Sequence, residues 1–276
     1  MKTRIISGCV IAPLLLLVFL GGAFIKVAVF VISLMAVNEF YRGFRRMKVR
    51  PSFSIAFCSI IGLYAVNIAV YYLKLFPEGI TFYLYAMWLF LSVLASLLSL
   101  FRLEKRSLAD GMATITGIVY IVFFLYHAAL AEDLFADRLG ASPVWLILLS
   151  AFGTDIFAYF GGYFLGKHKL CPTISPKKTI EGSLCGTLAS VILCTLFGAL
   201  FMDDGKLLMY AVTGLAGGVF SQLGDLTASV FKRKMGIKDY GNLIPGHGGI
   251  MDRFDSVVFT SPMVFYILMI FYASAI

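Results

Sequence analysis

The segment SVFKRKMGIKDYGNLIPGHGGIMDRFD, residues 229–255, places charged residues and glycines between two long apolar runs. The run before it covers about residues 207–231, and the run after it covers about residues 256–275. About 20 apolar residues are needed to cross the ~30 Å hydrocarbon core of a bilayer as a helix. The segment is therefore predicted to be a polar loop between two transmembrane helices.

The composition extends this prediction to the whole chain. Hydrophobic residues make up 60% of the 276 residues, against about 45–50% in soluble domains, and charged residues make up only 14%. We predict an all-α, polytopic integral membrane protein with about nine transmembrane helices. The predicted segments are approximately 5–22, 24–41, 53–74, 80–101, 110–131, 143–165, 182–202, 207–231 and 256–275.

Lysine and arginine residues predict the orientation, because they accumulate in short cytoplasmic loops. If the N-terminus is cytoplasmic, loops 166–182 and 232–255 are cytoplasmic too. The N-terminal run resembles a signal peptide, but a second apolar segment follows without an Ala-x-Ala-like site, so we expect a retained anchor helix. Among the 23 lysines and arginines, the exceptions on the outer side are Lys26, Lys74, Arg138 and Lys206.

The net charge of +8 is confined to the predicted inner face. There it favours anionic lipid headgroups and a phosphorylated substrate as partners, and no basic domain interleaved with aromatic residues suggests nucleic acid. The five cysteines show no CxxC spacing, and most lie within apolar segments, so we interpret them as packing residues.

Ionisable residues within the apolar runs divide the chain into two predicted regions. Residues 1–131 hold few of them and are predicted to form a scaffold of about five helices. Residues 132–276 are predicted to form a catalytic region of about four helices. In that region Asp155 lies ~15 Å below the cytoplasmic end of its helix, and Tyr159 shares its face. Such a carboxylate usually faces a cavity, a partner or a bound ion. The alternative is an ion pair with a Lys or Arg of the loops that serves packing alone.

The loop 166–182 contains a Ser-Pro turn followed by lysines, hydroxyl groups and an acidic residue, just before the next helix. The lysines and the first N–H groups of that helix can bind phosphate. An ordinary positive-inside loop that contacts lipid phosphates explains the lysines equally well. The candidate substrate-binding residues of this loop are Lys167, Ser175, Lys178, Thr179 and Glu181.

Polar residues on both sides of the loop 232–255 suit a metal site. Helical spacing places several polar side chains of the helix before the loop on one face. Asp252 and Asp255 are three residues apart and project together if the last helix begins near them. Carboxylates beside cations suit Mg²⁺, which uses one or two carboxylates together with phosphate oxygens. We predict one or two Mg²⁺ ions on Asp225, Asp252 and Asp255. The polar residues on the common face are Gln222, Asp225, Ser229, Lys232 and Arg233.

The glycines within the loop leave backbone N–H groups open to a phosphate. Gly246, Gly248 and Gly249 are the candidates for this contact. His247 either donates to a phosphate or holds the turn, and the sequence alone leaves both roles open.

Residues 229–255 resemble the signature of the phosphatidate cytidylyltransferases, also called CDP-diacylglycerol synthases, and match its fixed positions. Asp155-x-x-Ala158-Tyr159, Ser175-Pro176-x-Lys178-Thr179-x-Glu181-Gly182 and Gly224-Asp225-Leu226 resemble the same family. The resemblance covers about residues 150–258.

The resemblance implies that CTP and phosphatidate react to give CDP-diacylglycerol and pyrophosphate. It also implies a multi-pass protein of the bacterial cell (inner) membrane, with an active site that faces the cytoplasm. Because phosphatidate lies in the bilayer and CTP in the cytosol, the site must lie where the two phases meet. The candidate catalytic residues are Asp225, Lys232, Arg233, Lys238, Asp239, His247, Asp252, Arg253 and Asp255. The candidate substrate-binding residues also include Asp155, Tyr159 and Ser229.

The chain departs from the family pattern at two positions. Ala228 stands where relatives often carry Glu, and Tyr163 stands where a basic residue is common. The first departure puts an additional carboxylate ligand in doubt.

Three other functions were weighed against this one. CDP-alcohol phosphotransferases carry an Asp-Gly-x-x-Ala-Arg motif that is absent here. CTP-dependent polyprenol kinases are more similar in style, but the whole 229–255 run favours the cytidylyltransferases. A transporter of this size commonly contains internal repeats, and none is visible. Acyl-chain preference, the cytosine contacts and the formation of a homodimer stay open, since small residues such as Gly214 can pack within one chain or between two.

Overall fold

The computed structural model describes residues 20–101, 104–202, 205–243 and 248–272. Within them, eight helices are long and apolar enough to cross a membrane, and the prediction of an all-α polytopic membrane protein is confirmed. The first predicted segment, about residues 5–22, lies almost wholly outside the described residues. The helices are α1 (Ala23–Arg46), α2 (Phe53–Tyr72), α3 (Thr81–Phe101), α4 (Leu108–Leu139), α5 (Val144–Phe164), α6 (Ile180–Phe201), α7 (Leu207–Met235) and α8 (Met251–Tyr272).

Several helices extend beyond the apolar runs that predicted them. Helix α7 continues to Met235 and ends at Gly236, whose φ of 66° terminates the helix in the left-handed region. Helix α8 begins at Met251, several residues before its apolar run. The polar residues at these ends are therefore part of the helices, and Asp252 and Asp255 lie in the first turns of α8.

Two helices contain turns of π-helix. Residues Ile68–Tyr72 form the end of α2, and Ile118–Phe123 form a π-helical stretch within α4. Such bulges insert one extra residue per turn and rotate the face that follows. The continuous helix α4 contacts both α1 and α8.

The loop after α5 folds into a short antiparallel hairpin of β1 (Lys169–Cys171) and β2 (Ser175–Thr179). Lys169 pairs with Thr179, and Cys171 pairs with Ser175. The side chain of Thr179 then caps α6 by accepting a hydrogen bond from the N–H of Gly182 at 3.2 Å. The sequence predicted a turn followed by a helix at about residue 182, whereas the helix begins two residues earlier.

Helices α5 and α6 pack so closely that their backbones nearly touch. A Cβ atom at Gly182 would lie 2.5 Å from the carbonyl oxygen of Ala158, and one at Gly186 would lie 2.7 Å from that of Thr154. Only glycine permits this approach, which is typical of membrane helix pairs. The contact fixes Asp155 of α5 beside the hairpin that precedes α6.

Helix α1 packs against the C-terminal residues of α7. The rings of Phe40 and Phe231 lie 5.1 Å apart in an edge-to-face arrangement, and both are part of the packed interior. Gly43 leaves room for the side chain of Met235. The predicted scaffold therefore contacts the predicted catalytic region directly, while the division of the chain at residue 131 stays a prediction.

Candidate functional site

Three carboxylates from three helices lie near one another. Asp155 of α5, Asp225 of α7 and Asp255 of α8 are close enough for the negative charge of Asp225 to act on each of the other two. Asp255 is buried, and the other two are partly buried. Like charges repel strongly in a medium of low dielectric constant, so this arrangement requires cations nearby.

Lys178 provides the first of these cations. Its Nζ atom lies 2.6 Å from Oδ2 of Asp225, and both side chains keep 26% of their surface exposed. The hydroxyl of Ser229, one turn along α7, donates to Oδ1 of Asp225 at 3.4 Å. Strand β2 carries Lys178 to this position because Thr179 follows it at once and caps α6. The predicted residues Ser229, Lys178 and Asp225 are therefore brought together.

Lys232 provides the second cation. Its Nζ atom lies 3.0 Å from Oδ1 of Asp252 and 3.8 Å from Oδ2 of Asp255. The side chain of Lys232 is largely buried, and it lies two turns along α7 from Asp225. Lys232 thus links the end of α7 to the start of α8 and adds a positive charge beside the carboxylates.

Asp252 differs from the other aspartates because its second oxygen holds the loop before α8. Oδ2 accepts hydrogen bonds from the N–H groups of Tyr240 at 2.8 Å and of Gly249 at 3.0 Å. Gly248 has a φ of 85°, which lets the chain turn into this contact. Oδ1 of Asp252 shares Lys232 with Asp255, and Asp155, which the sequence analysis did not assign to the metal, also lies near Asp225 and Asp255.

Tyr240 anchors the same loop to α7. Its hydroxyl donates to the carbonyl oxygen of Ala228 at 3.0 Å, and its ring lies 5.5 Å from Nζ of Lys232. Burial raises the pKa of the Tyr240 phenol well above its ordinary value, so the group stays protonated and remains a donor. Ala228 itself is completely buried.

Glu39 of α1 is a buried residue at this site that the sequence analysis did not select. Its Oε2 accepts from the N–H of Met251 at 2.9 Å, and the N–H of Ile250 also donates to its carboxyl group. Gly241 and Gly249 pack directly against this group, where a Cβ atom would collide with it. The available signal was an ionisable residue inside an apolar run, the same signal that selected Asp155.

Several predicted residues stabilise the local backbone. Glu181 accepts from the N–H of Lys167 at 3.1 Å and pairs with Nδ1 of His168 at 2.6 Å. Arg233 donates from Nε to the carbonyl oxygen of Ile174 at 3.3 Å, which ties α7 to the hairpin.

The remaining predicted residues lie around this centre. Arg253, in the first turn of α8, is close enough for its charge to act on Asp155. Ser175 is half-buried at the start of β2, whereas four other predicted residues are exposed, and Gly246 and His247 lie outside the described residues. The exposed residues are Tyr159, Lys167, Lys238 and Asp239.

The donor atoms of the site suit a hard cation. Among the described residues, no three His, Cys, Asp or Glu side chains converge closely enough to bind a metal ion by themselves. Mg²⁺ typically takes only one or two protein carboxylates and completes its shell with water and substrate phosphates. The repulsion among Asp155, Asp225 and Asp255 would fall when a cation binds, so the carboxylates fit Mg²⁺ that arrives with a phosphorylated substrate.

Comparisons with known proteins identify the family. A family model described as "Cytidylyltransferase family" matches residues 2–271. A phosphatidate cytidylyltransferase of Bacillus subtilis is 30% identical over 283 residues, which cover 98% of each chain. One of Staphylococcus epidermidis is 33% identical over 95% of each chain, and one of Rickettsia bellii is 40% identical over 47% of this chain and 61% of its own.

Proposed function

Because the chain belongs to the cytidylyltransferase family, we propose that it is a phosphatidate cytidylyltransferase of the cell membrane. It transfers CMP from CTP to phosphatidate and releases pyrophosphate. The observation that carries the proposal is the grouping of Asp155, Asp225 and Asp255 with Lys178 and Lys232 at the polar ends of membrane-spanning helices. Such a site serves a reaction between a lipid phosphate and a soluble polyphosphate.

The reaction requires little help from a general base. A phosphate monoester has a second pKa of about 6, so phosphatidate is largely a dianion near neutral pH. One of its oxygens attacks the α-phosphorus of CTP in line, and the bond to the bridging oxygen of the leaving pyrophosphate breaks. The protein has to bring two anions together and to offset the charge on the leaving group.

The two lysines divide this task in the proposed mechanism. Lys178 lies beside Asp225 at the edge of the site and binds the phosphate of phosphatidate. Lys232 lies deeper, between Asp252 and Asp255, and stabilises the charge that develops during transfer. Arg253, whose charge acts on Asp155, limits the repulsion among the carboxylates as the two substrates approach.

The lipid side of the site is supported by exposed apolar residues. Gln222 of α7 donates to the carbonyl oxygen of Ser183 in α6 at 3.2 Å, which brings these helices together near Lys178. Leu184 and Leu223, each adjacent in sequence to one of these residues, are exposed. Acyl chains can lie along this surface while the headgroup reaches Lys178.

The proposed cofactor is Mg²⁺, held by Asp225 and Asp255 together with substrate phosphate oxygens. When bound there, it would supply a positive charge at the reacting phosphorus. Asp252 is a weaker candidate ligand, because its Oδ2 already accepts two backbone hydrogen bonds and its Oδ1 faces Lys232.

The experiment that tests the function is a turnover assay on detergent-purified protein. Mixed micelles with phosphatidate are incubated with CTP labelled at the α-phosphate, with and without Mg²⁺. We expect Mg²⁺-dependent label in the lipid fraction and an equal amount of pyrophosphate. A parallel reaction uses diacylglycerol and CTP labelled at the γ-phosphate, where label in lipid would indicate a kinase. Folded protein that yields no α-labelled lipid would contradict the proposal.

A further inference from the structure

Apart from the carboxylate cluster, a polar cavity lies on the α1 side of the loop before α8. It has a volume of about 500 Å³, within the range of about 300–1,000 Å³ that is usual for small-molecule sites. Its walls are one face of α1 and the loop residues Ile237–Leu243. The polar side chains on the α1 wall are Asn38, Glu39, Arg42 and Arg46, and those on the loop wall include Asp239 and Asn242.

The two arginines of this cavity form no salt bridge with a described acidic residue, although the charge of Arg42 acts on Glu39. Neither Arg42 nor Arg46 forms an ion pair with any residue that the structure describes, in contrast to Lys178 and Lys232. The carboxyl group of Glu39, which is nearest in sequence, accepts hydrogen bonds from the N–H groups of Met251 and Ile250, and it interacts with Arg42 through charge. Two guanidinium groups one helical turn apart therefore face the cavity with free donor groups, which suit phosphate oxygens.

The cavity and the carboxylate cluster share a wall. Tyr240 lines the cavity, while its N–H donates to Asp252 and its ring lies near Lys232. Lys178 of β2 and Ser229 of α7 lie on the lipid side of the cluster, where both contact Asp225. Phe231, which packs on α1, lies on a different face of α7. A ligand in the cavity would thus approach Lys232 from a different side than a lipid phosphate at Lys178.

We propose that this cavity binds the nucleotide substrate, with Arg42 and Arg46 as ligands of its phosphate groups. The inference rests on the proposed function for the identity of the nucleotide, CTP. The polar lining and the volume suit a nucleotide, and the separate position of Lys178 leaves the lipid phosphate to the other side. A lipid headgroup shares the phosphate chemistry, so the test must distinguish these two sources.

The test compares Arg42→Gln, Arg46→Gln and the double variant with Arg45→Gln. Arg45 lies at the same exposed end of α1 but does not line the cavity, so it controls for the loss of surface charge. Binding of CTP to the purified protein is measured without lipid, and KM is measured separately for CTP and for phosphatidate. A lost charge-assisted hydrogen bond weakens binding about tenfold, so we expect Kd and KM for CTP to rise about tenfold for each single variant.

The outcomes separate the two proposals. An unchanged KM for phosphatidate and normal behaviour of Arg45→Gln would support the cavity as the nucleotide site. A rise in KM for phosphatidate instead would assign the arginines to a lipid headgroup and overturn the inference, as would equal effects of Arg45→Gln. If the wild-type protein binds CTP but transfers no cytidylyl group, the proposed function fails, while loss of CTP binding in the double variant still supports the cavity.

Discussion

The carboxyl group of Glu39 accepts a hydrogen bond from the N–H of Met251, which lies 212 positions later in the chain. This contact joins α1 to the first residue of α8 and holds the loop that presents Asp252 and Asp255. Helix α1 therefore does more than surround the site, because the start of α8 depends on it.

The substitution Glu39→Gln should lower turnover more than the same substitution at Glu132. The amide nitrogen of Gln cannot accept a hydrogen bond, so one of the two N–H groups loses its acceptor. If the site holds the proposed Mg²⁺, we expect turnover to fall about 10- to 100-fold, as for residues that orient the ligands of a metal. The matched control is Glu132→Gln. Glu132 is equally buried and accepts from the N–H of Gly22 at 2.6 Å and the hydroxyl of Ser142 at 2.7 Å. Equal losses of turnover in both variants would refute the positioning role.

Asp225 and Asp252 should respond differently to replacement by Asn. Asp225→Asn is expected to lower kcat at least ~100-fold and to raise the Mg²⁺ concentration needed, with little change in melting temperature. Asp252→Asn should also lower stability by about 1–3 kcal/mol, because an N–H group of the loop loses its acceptor. Mg²⁺ titrations and thermal unfolding of both variants check this. Full activity of Asp225→Asn at ordinary Mg²⁺ would refute its assignment as a ligand.

Lys178→Gln should raise KM for phosphatidate about tenfold and leave KM for CTP nearly unchanged, because a charge-assisted contact to the lipid phosphate is lost. Lys177→Gln is the control, since Lys177 is the exposed neighbour on the same strand and forms no ion pair with a described residue. Initial rates are measured against the mole fraction of phosphatidate in mixed micelles. If KM for CTP rises instead, Lys178 belongs to the nucleotide.

Ala228→Glu should destabilise the protein. Ala228 has no exposed surface, and its carbonyl oxygen already accepts from Tyr240, so a new carboxylate would be both crowded and poorly solvated. We expect a loss of at least ~3 kcal/mol in the free energy of unfolding. The variant Ala228→Gln has nearly the same volume without the charge and separates the two effects. A stable Ala228→Glu protein with a lower Mg²⁺ requirement would show that the position can hold a metal ligand.

The sequence predicted the membrane class and most of the spanning helices, because apolar length alone determines them. It also selected Asp155 and Asp225 individually, since a carboxylate in an apolar run is rarely without a role. It could not show that Asp155 lies close enough to Asp225 and Asp255 for their charges to interact. That grouping depends on how α5, α7 and α8 pack, and one sequence carries no direct record of such distances.

The local structure of the loops was harder to predict for a different reason. Strands β1 and β2 have only three and five residues, and Pro176 in β2 is typical of a turn. A two-stranded hairpin tolerates this proline because an edge strand need not donate every hydrogen bond. Similarly, the spacing predicted Asp252 as a metal ligand. The two backbone hydrogen bonds that its carboxyl group accepts depend on the positions of Tyr240 and Gly249, which the sequence does not give.

The pair of Lys178 and Asp225 has a consequence for the order of events at the site. Each side chain keeps the other in place before any substrate arrives, so a lysine that carries about 2 kcal/mol of rotamer entropy is already partly ordered. In the proposed mechanism, the incoming lipid phosphate would exchange partners with Asp225 and would not need to capture a freely moving ammonium group. The same exchange would release the carboxylate of Asp225 when the proposed Mg²⁺ ion binds beside it, so the arrival of one substrate would prepare the site for the other.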